Sequence, residues 1–154
     1  MMDHKTALGY VLHLLARREY CAAQLRAKLL QRGATEETAD SVIRELSEQG
    51  LISDERFAES FLRARQQRGD ALWLAVRKAE ALGVDARALE RVRKRMEHVQ
   101  SSLEICRRLL AARDPQGLRH EDERIWQRHA RFLRSKGHDM ASIMQALKEH
   151  GEDS

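Results

Sequence analysis

The most restrictive feature of this sequence is a glycine that recurs about every fifty residues. Gly33, Gly83 and Gly137 each follow a run with helical apolar spacing, and they stand 50 and 54 positions apart. Glycine is the preferred residue just past the C-terminus of a helix, so each of the three marks a helix end. Six positions after each glycine the next helix carries an apolar residue: Ala39, Leu89 and Ile143. A period near fifty predicts tandem supersecondary units that lean on their neighbours.

Each unit contains three runs of helical periodicity with clear start and stop signals. In the first unit the runs are Asp3 to about Arg18, Cys21 to Arg32, and a segment capped by Thr35 and stopped by Gly50. The later units repeat this order of caps, apolar faces and glycine stops. The predicted fold class is all-α, an elongated array of three tandem three-helix repeats. The predicted domains are residues 1–52, 53–100 and 101–154.

Composition supports a helical, intracellular protein. Only 5 % of the residues are aromatic and there is a single proline, while 34 % are charged, a balance that favours helix over sheet. No stretch approaches eighteen consecutive apolar residues, and the N-terminus lacks the basic start of a signal peptide, so we expect a cytoplasmic location. Cys21 and Cys106 lie far apart and outside any Cys-x-x-Cys spacing, which predicts two reduced thiols.

The sequence contains no recognisable catalytic or metal-binding pattern. Its eight glycines are scattered and form no phosphate-binding loop, and its histidines have no His-x-x-x-His, Glu-x-x-His or Cys-x-x-Cys partner spacing. We therefore expect no enzyme activity, no catalytic residue, no cofactor and no metal. His129 is expected to be a partly buried histidine with satisfied hydrogen bonds. Trp73 and Trp126 fall on apolar faces and are predicted to belong to the core.

Arginines at helical spacing are the candidate binding residues. The net charge is +4 and the pI about 9.4, and the planar guanidinium group favours bidentate contact with phosphate or carboxylate. A nucleic acid or an acidic protein surface is therefore the expected partner class. Such rows can also be solvated faces that pair with nearby glutamates. The candidate residues form three groups: Arg63, Arg65 and Arg68; Arg87, Arg91 and Arg95; and Arg124, Arg128, Arg131 and Arg134.

The segment Gly50 to Leu62, "GLISDERFAESFL", predicts a tight corner between two helices. Gly50 would end one helix in a Schellman motif whose next residue, Leu51, reaches back to Leu46. Ser53 would cap the following helix, with acidic residues in the first turn. Ile52 and Phe57 have the spacing of a hydrophobic staple. The segment is interpreted as a structural corner and not as a ligand site.

Together, "RREYCAAQLRAKLLQRG" and "VIRELSEQGLISDERFAESFLRAR" resemble the start of RecX family proteins, which modulate the RecA recombinase. The family pattern is a helix opening Ser-x-x-Glu-Leu-x-x-Lys-Leu, a glycine, and then Gly-Leu-[Ile/Leu]-x-Asp-x-x-Phe-Ala. The resemblance covers Arg17 to about Gly83, and "ARFLRSKGHDMASIMQAL" is similar to the C-terminal unit of the family. In this chain Cys21 and Gln24 replace the family's Ser and Glu, and the segment after Gly69 is less basic than the family pattern.

The resemblance implies a regulatory protein that binds the RecA filament on DNA. It would occupy the filament groove and inhibit ATPase, strand exchange and coprotease activities in recombination and the SOS response. Direct contact with single- or double-stranded DNA stays open, and a monomer is expected. The alternative is an independent DNA-binding protein in which each three-helix unit acts as a helix-turn-helix.

Overall fold

The computed structural model describes residues 1–150, and within this range the chain is helical and contains no β-strand. Residues 1–150 form nine α-helices and one short 3₁₀ helix, which confirms the all-α class. The helices are α1 His4–Leu15, α2 Ala22–Gln31, α3 Glu36–Glu48, α4 Asp54–Gln67, α5 Leu72–Ala81, α6 Ala86–Met96, α7 Ser102–Arg113, α8 Glu123–Ser135 and α9 Met140–Lys148; the 3₁₀ helix, Leu118–His120, precedes α8.

Side-chain caps begin several helices, and the cap at Thr35 was predicted from the sequence. Asp3 accepts a hydrogen bond from the Thr6 amide, and Thr35 accepts one from the Thr38 amide. Cys21 is a less typical start: its own amide donates to the Gln24 side chain at 3.1 Å, and its thiol donates to the Leu82 carbonyl at 3.6 Å. Gln24 thus bonds back to the amide at the start of α2, although it replaces the Glu of the family pattern.

The predicted corner at Gly50 is confirmed in its hydrogen bonds. Gly50 has φ +76°, a conformation that glycine adopts without steric cost. Its amide donates to the Ser47 carbonyl and the Leu51 amide donates to the Leu46 carbonyl, which together make the Schellman motif. Ser53 caps α4 by accepting from the Arg56 amide at 3.1 Å.

The packing divides the chain into two compact units, and the boundaries of these units differ from those of the predicted repeats. One unit comprises Met1–Leu62 and Arg77–Lys94, and the other comprises Arg63–Val76 and the chain from Arg95 onward. Helices α1, α2 and α3 lie in the first unit and α7, α8 and α9 in the second, while α4, α5 and α6 contribute residues to both. The division into repeats 1–52, 53–100 and 101–154 stays a prediction.

Each unit has its own apolar core. In the first unit, residues from α1, α2 and α3 are buried together with Ile52 of the corner. In the second unit, α7, α8 and α9 supply the buried residues. The first core is built around Val11, Leu25, Leu29, Val42 and Leu46, and the second around Cys106, Leu110, Leu133, Ile143 and Leu147.

The glycine turn at the end of one helix rests on the first turn of an earlier helix, once in each unit. In the first unit, a Cβ added to Gly83 would lie 2.7 Å from the Cβ of Ala23 in α2. In the second unit, a Cβ added to Gly137 would lie 3.1 Å from the Trp73 ring in α5, and the Ala71 amide donates to the Lys136 carbonyl at 2.8 Å. This recurring joint explains in steric terms why glycine stands at both positions.

Some sequence expectations about individual residues and helix ends were wrong. Helix α1 ends at Leu15, not near Arg18. Two apolar residues with helical spacing are exposed: Leu12 on α1, and Val99, which lies beyond the end of α6 at Met96.

Candidate functional site

Helix α8 presents the clearest candidate site, a row of arginines on its outer side. Asp122 caps the helix by accepting a hydrogen bond from the Arg124 amide at 2.8 Å. On the inner side, His129 and Leu133 are buried. The outer side carries the α8 arginine row, defined as Arg124, Arg128, Arg131 and Arg134, all of which are exposed.

No acidic side chain interrupts the α8 arginine row. The chain contains neither Asp nor Glu from Arg124 to His138, and among residues 1–150 none of the four arginines forms an ion pair. The row covers eleven residues of helix, Arg124 to Arg134, which corresponds to a rise of about 15 Å. Four exposed guanidinium groups on this side of α8 give the surface a preference for anions.

The arginines predicted on α4 and just after it are partly neutralised. Arg65 donates to Asp70 at 2.8 Å, and the Asp70 carboxylate is fully buried. That pairing holds Arg65 in a structural role beside the α4–α5 connection. Arg63 and Arg68 are exposed, so they stay candidate contacts that the structure does not bring into one row with Arg65.

The row predicted on α6 lies on a surface of mixed charge. Arg87, Arg91 and Arg95 are all exposed, but Arg91 donates to Glu55 at 3.0 Å. Glu90 stands on the same helix and is bonded by Arg93 at 2.7 Å, and this hydrogen bond holds the pKa of Glu90 below its usual value. Acidic groups therefore offset part of the positive charge on α6.

A buried polar cluster supports α8 from its inner side. Burial lowers the pKa of His129, the nearby Asp114 carboxylate partly offsets this, and Arg113, Arg119 and Arg128 lower it further. The ring nitrogen of His129 lies 3.9 Å from Asp114. The expected burial of His129 is thus confirmed, while the Asp114 oxygen at 3.9 Å is too far for a hydrogen bond. With its lowered pKa, His129 adds no positive charge beneath the row at neutral pH.

Arg119 is the polar residue whose role sequence reasoning missed. Its guanidinium group is buried and donates to the Asp114 carboxylate at 2.9 Å, the Leu147 carbonyl at 2.9 Å and the Glu149 carbonyl at 2.6 Å. Burial acts to raise the pKa of Asp114, but the hydrogen bonds from Arg119 outweigh it, and the pKa lies below its usual value. Arg119 therefore holds the C-terminal end of α9, and the segment "DPQGLRHED" is more than a polar connection.

A cavity of about 880 Å³ adjoins this cluster and is lined by Arg107, Arg119, His120 and Glu149, among others. Its charged groups are already bonded to one another. Arg107 donates to Glu149 at 2.6 Å, and this contact, with a second from Gln145, lowers the pKa of Glu149 to about 2. Because these charged groups already pair with one another, the cavity is a weaker candidate site for an anionic partner than the α8 arginine row.

The prediction that Trp73 belongs to the core was wrong. Its side chain is 53 % exposed, and its indole nitrogen donates to the Gly137 carbonyl at 2.6 Å. The buried positions are instead the smaller Ala75 and Ala79 on α5 and Ala71 just before the helix. Trp126, in contrast, is partly buried against the core of the second unit, as expected.

The two thiols are unpaired and buried. Burial raises the pKa of Cys21, and raises that of Cys106 to about 12, so both thiols are protonated and poorly nucleophilic. Within residues 1–150 no group of three or more His, Cys, Asp or Glu side chains is arranged to hold a metal ion. The same part of the chain includes no helix with the length and apolar character needed to span a bilayer.

Comparison with known proteins identifies the family. The family model described as "RecX, first three-helix domain" matches residues 7–46. The regulatory protein RecX of Pseudomonas entomophila is 35 % identical over 136 residues, covering 87 % of this chain and 84 % of the relative. The chain belongs to the RecX family. The regulatory protein RecX of Chromohalobacter salexigens, at 31 % identity over 145 residues, covers 93 % of this chain and 91 % of the relative.

The RecX fold is also recovered by structural comparison. A solved structure described as "Crystal structure of regulatory protein RecX" matches with a TM-score of 0.73 at 17 % identity, covering 95 % of this chain and 72 % of the other. At this identity the likeness concerns the fold alone. The RecX family resemblance seen in the sequence is therefore confirmed, and its relatives are named as regulatory proteins.

Proposed function

We propose that this chain binds the RecA filament on DNA and inhibits its ATPase, strand-exchange and coprotease activities, acting in recombination and the SOS response in the cytoplasm. Membership of the RecX family supports this regulatory role. The observation that supports a particular contact surface for this function is the α8 arginine row. It is exposed, uninterrupted by acidic residues, and suited to acidic protein surface or DNA phosphate.

The dimensions of the row fit a nucleoprotein partner. Its length of about 15 Å equals the axial rise of roughly four phosphates along one strand of B-form DNA. Residues three and four apart on a helix are neighbours on its surface, so the four guanidinium groups can act on one continuous anionic surface. The groups on α4 and α6 contribute less, because Arg65 and Arg91 are bound to carboxylates.

The test is inhibition of the DNA-dependent ATPase of the cognate recombinase by the purified protein. The wild-type chain is expected to inhibit at near-stoichiometric concentration. The double charge reversal Arg128→Glu/Arg131→Glu is expected to raise the concentration for half-inhibition by about tenfold or more, because each reversal replaces attraction by repulsion at an anionic surface.

A matched control distinguishes the effect of the arginine row on inhibition from the effect of the total charge. Arg17→Glu/Arg44→Glu changes the net charge by the same amount at two exposed positions of the first unit and is expected to inhibit almost as wild type does. Unchanged ATPase with excess wild-type protein would refute the regulatory function. Equal loss in both double variants would refute the assignment of the row.

The alternative, an independent helix-turn-helix protein, predicts a different result. Such a protein would bind duplex DNA without the recombinase, with an affinity that falls steeply as salt rises. Tight duplex binding together with an unaffected recombinase ATPase would favour this alternative.

A further inference from the structure

Trp73 is held rigidly while leaving half of its side chain open. Its indole N–H donates to the Gly137 carbonyl at 2.6 Å, and two carbons of the ring lie 3.1 and 3.2 Å from where a Cβ on Gly137 would stand. The backbone beneath it is fixed as well, since the Ala71 amide donates to the Lys136 carbonyl. A tryptophan that is hydrogen-bonded along one edge yet 53 % exposed presents a fixed aromatic surface to solvent.

The position of this surface relates it to the α8 arginine row. Gly137 ends α8, and its amide donates to the carbonyl of Arg134, the last residue of the row. Trp73 is therefore anchored at the C-terminal end of α8, within the same compact unit as the four arginines. An aromatic platform at the end of a basic track is the combination that binds single-stranded nucleic acid without sequence preference.

We propose that Trp73 is a base-stacking anchor for single-stranded DNA, whose phosphates follow the α8 arginine row. This inference rests on the proposed function, in which the row meets an anionic surface, and it specifies what that surface is. The arginines neutralise the backbone, and the indole takes one unpaired base. Duplex DNA does not fit the role, because its bases are already stacked within the helix.

Charge favours nucleic acid over a protein partner for this surface. The segment from Arg124 to His138 contains no carboxylate that could pair with a basic residue of a protein partner. A nucleic-acid backbone carries a regularly repeated negative charge and can therefore meet each arginine of such a row. A nucleobase also covers one aromatic face without requiring an apolar groove around it.

Intrinsic fluorescence can observe the stacking directly, because the chain has only two tryptophans. Replacing the partly buried Trp126 by phenylalanine leaves Trp73 as the only tryptophan, so that excitation at a wavelength selective for tryptophan reports on it alone. Titration of this Trp126→Phe protein with oligothymidylate at low salt is expected to quench its emission. An abasic oligomer of the same length, which keeps the phosphates and lacks the bases, is expected to bind more weakly and to leave the emission nearly unchanged.

Affinity measurements on variants of Trp73 provide the second readout. Trp73→Ala is expected to weaken oligothymidylate binding about tenfold, in line with the loss of one stacked base, and to leave binding of the abasic oligomer unchanged. Trp73→Phe retains a smaller aromatic face but loses the hydrogen bond to Gly137. Its affinity for oligothymidylate should lie between those of the wild-type protein and Trp73→Ala. Leu118→Ala, at another exposed apolar side chain of the same unit, is the matched control and should bind as wild type does.

Several outcomes would overturn the proposal. Absence of oligothymidylate binding at low salt, unchanged Trp73 emission on binding, or equal losses for the normal and abasic oligomers in Trp73→Ala would each do so. If Trp73→Ala weakens recombinase inhibition while oligothymidylate binding is unaffected, the platform serves a protein partner instead. The oligomer assays contain no recombinase, so a negative result in them does not contradict the proposed inhibition of the recombinase ATPase. A negative result in the ATPase assay likewise does not contradict binding of single-stranded DNA at Trp73.

Discussion

Asp54 illustrates how one side chain can connect several helices. It is the aspartate of the Gly-Leu-Ile-Ser-Asp segment, and sequence reasoning assigned it only a favourable charge in the first turn of α4. Its two carboxylate oxygens accept hydrogen bonds from different backbone amides, Ala22 at 2.9 Å and Asp85 at 2.8 Å. These amides belong to the N-termini of α2 and α6, where backbone N–H groups lack helical partners. Asp54 thus satisfies donors at two helix starts at once.

Asp54→Asn is expected to lower the free energy of unfolding by about 1 to 3 kcal/mol, because an amide NH₂ cannot accept the second backbone hydrogen bond. Urea denaturation monitored by circular dichroism measures the change. Glu55→Gln is the matched control: the adjacent residue undergoes the same change of charge, but its bond to Arg91 is exposed, and the expected loss is below about 1 kcal/mol. Equal losses at the two positions would contradict the bridging role.

At the scale of the element, caps and glycine stops could be predicted from the sequence because they depend on neighbouring residues. Thr35 and Ser53 cap helices as expected, by accepting hydrogen bonds from amides three residues ahead. Long-range partners could not be predicted in this way. Arg119 and Trp73 acquire their roles from carbonyl groups 28 and 64 residues away, and no local pattern identifies those partners.

The candidate site was predictable in one part and not in another. The spacing of Arg124, Arg128 and Arg131 places them on one side of a helix, and the absence of Asp and Glu between Arg124 and His138 is visible in the sequence. Which arginines of α4 and α6 are bound to carboxylates depends on tertiary structure, as the contact of Arg91 with Glu55 shows. Trp73 was misassigned because an apolar residue at helical spacing is most often buried, and here a glycine turn occupies the space beside it.

Helix α9 depends on Arg119, which bonds carbonyl groups at and just beyond its C-terminal end. Arg119→Met is expected to destabilise the protein by about 3 to 5 kcal/mol, because it leaves the buried Asp114 carboxylate without its cation. Amide hydrogen exchange should show the largest loss of protection in α9. Arg107→Met removes a more exposed pair with Glu149 and is expected to cost no more than about 1 kcal/mol. Unchanged exchange in α9 of Arg119→Met would refute this assignment.

At the scale of the whole molecule, two buried histidines make stability depend on pH. His138 is almost fully buried, and its ring nitrogens contact the Gly69 carbonyl at 2.8 Å and the Ser102 hydroxyl at 3.0 Å. Burial lowers the pKa of His138, and the Gly69 carbonyl with the Asp139 and Asp70 carboxylates offsets this only in part. The pKa of His129 is also lowered, chiefly by burial.

The direction of the pH dependence follows from these lowered pKa values. An unfolded histidine takes up a proton near pH 6.5, whereas the folded chain resists protonation of His129 and His138 until lower pH. The histidine contribution to stability is therefore complete above about pH 7 and is lost as the pH falls through about 6.5. A second loss begins below about pH 4.5, where unfolded carboxylates are protonated before Glu149, whose folded pKa is about 2.

We expect the urea midpoint at constant ionic strength to be level from pH 8 to 7 and to fall between pH 6.5 and 5. His138→Gln retains an N–H that can reach the Gly69 carbonyl but does not titrate, so its midpoint should fall less steeply over that interval. His13→Gln, at an exposed position on α1, is the matched control and should keep the wild-type slope. A wild-type midpoint that rises on acidification to pH 5.5, or identical slopes in the two variants, would show that His138 is not a source of the pH dependence.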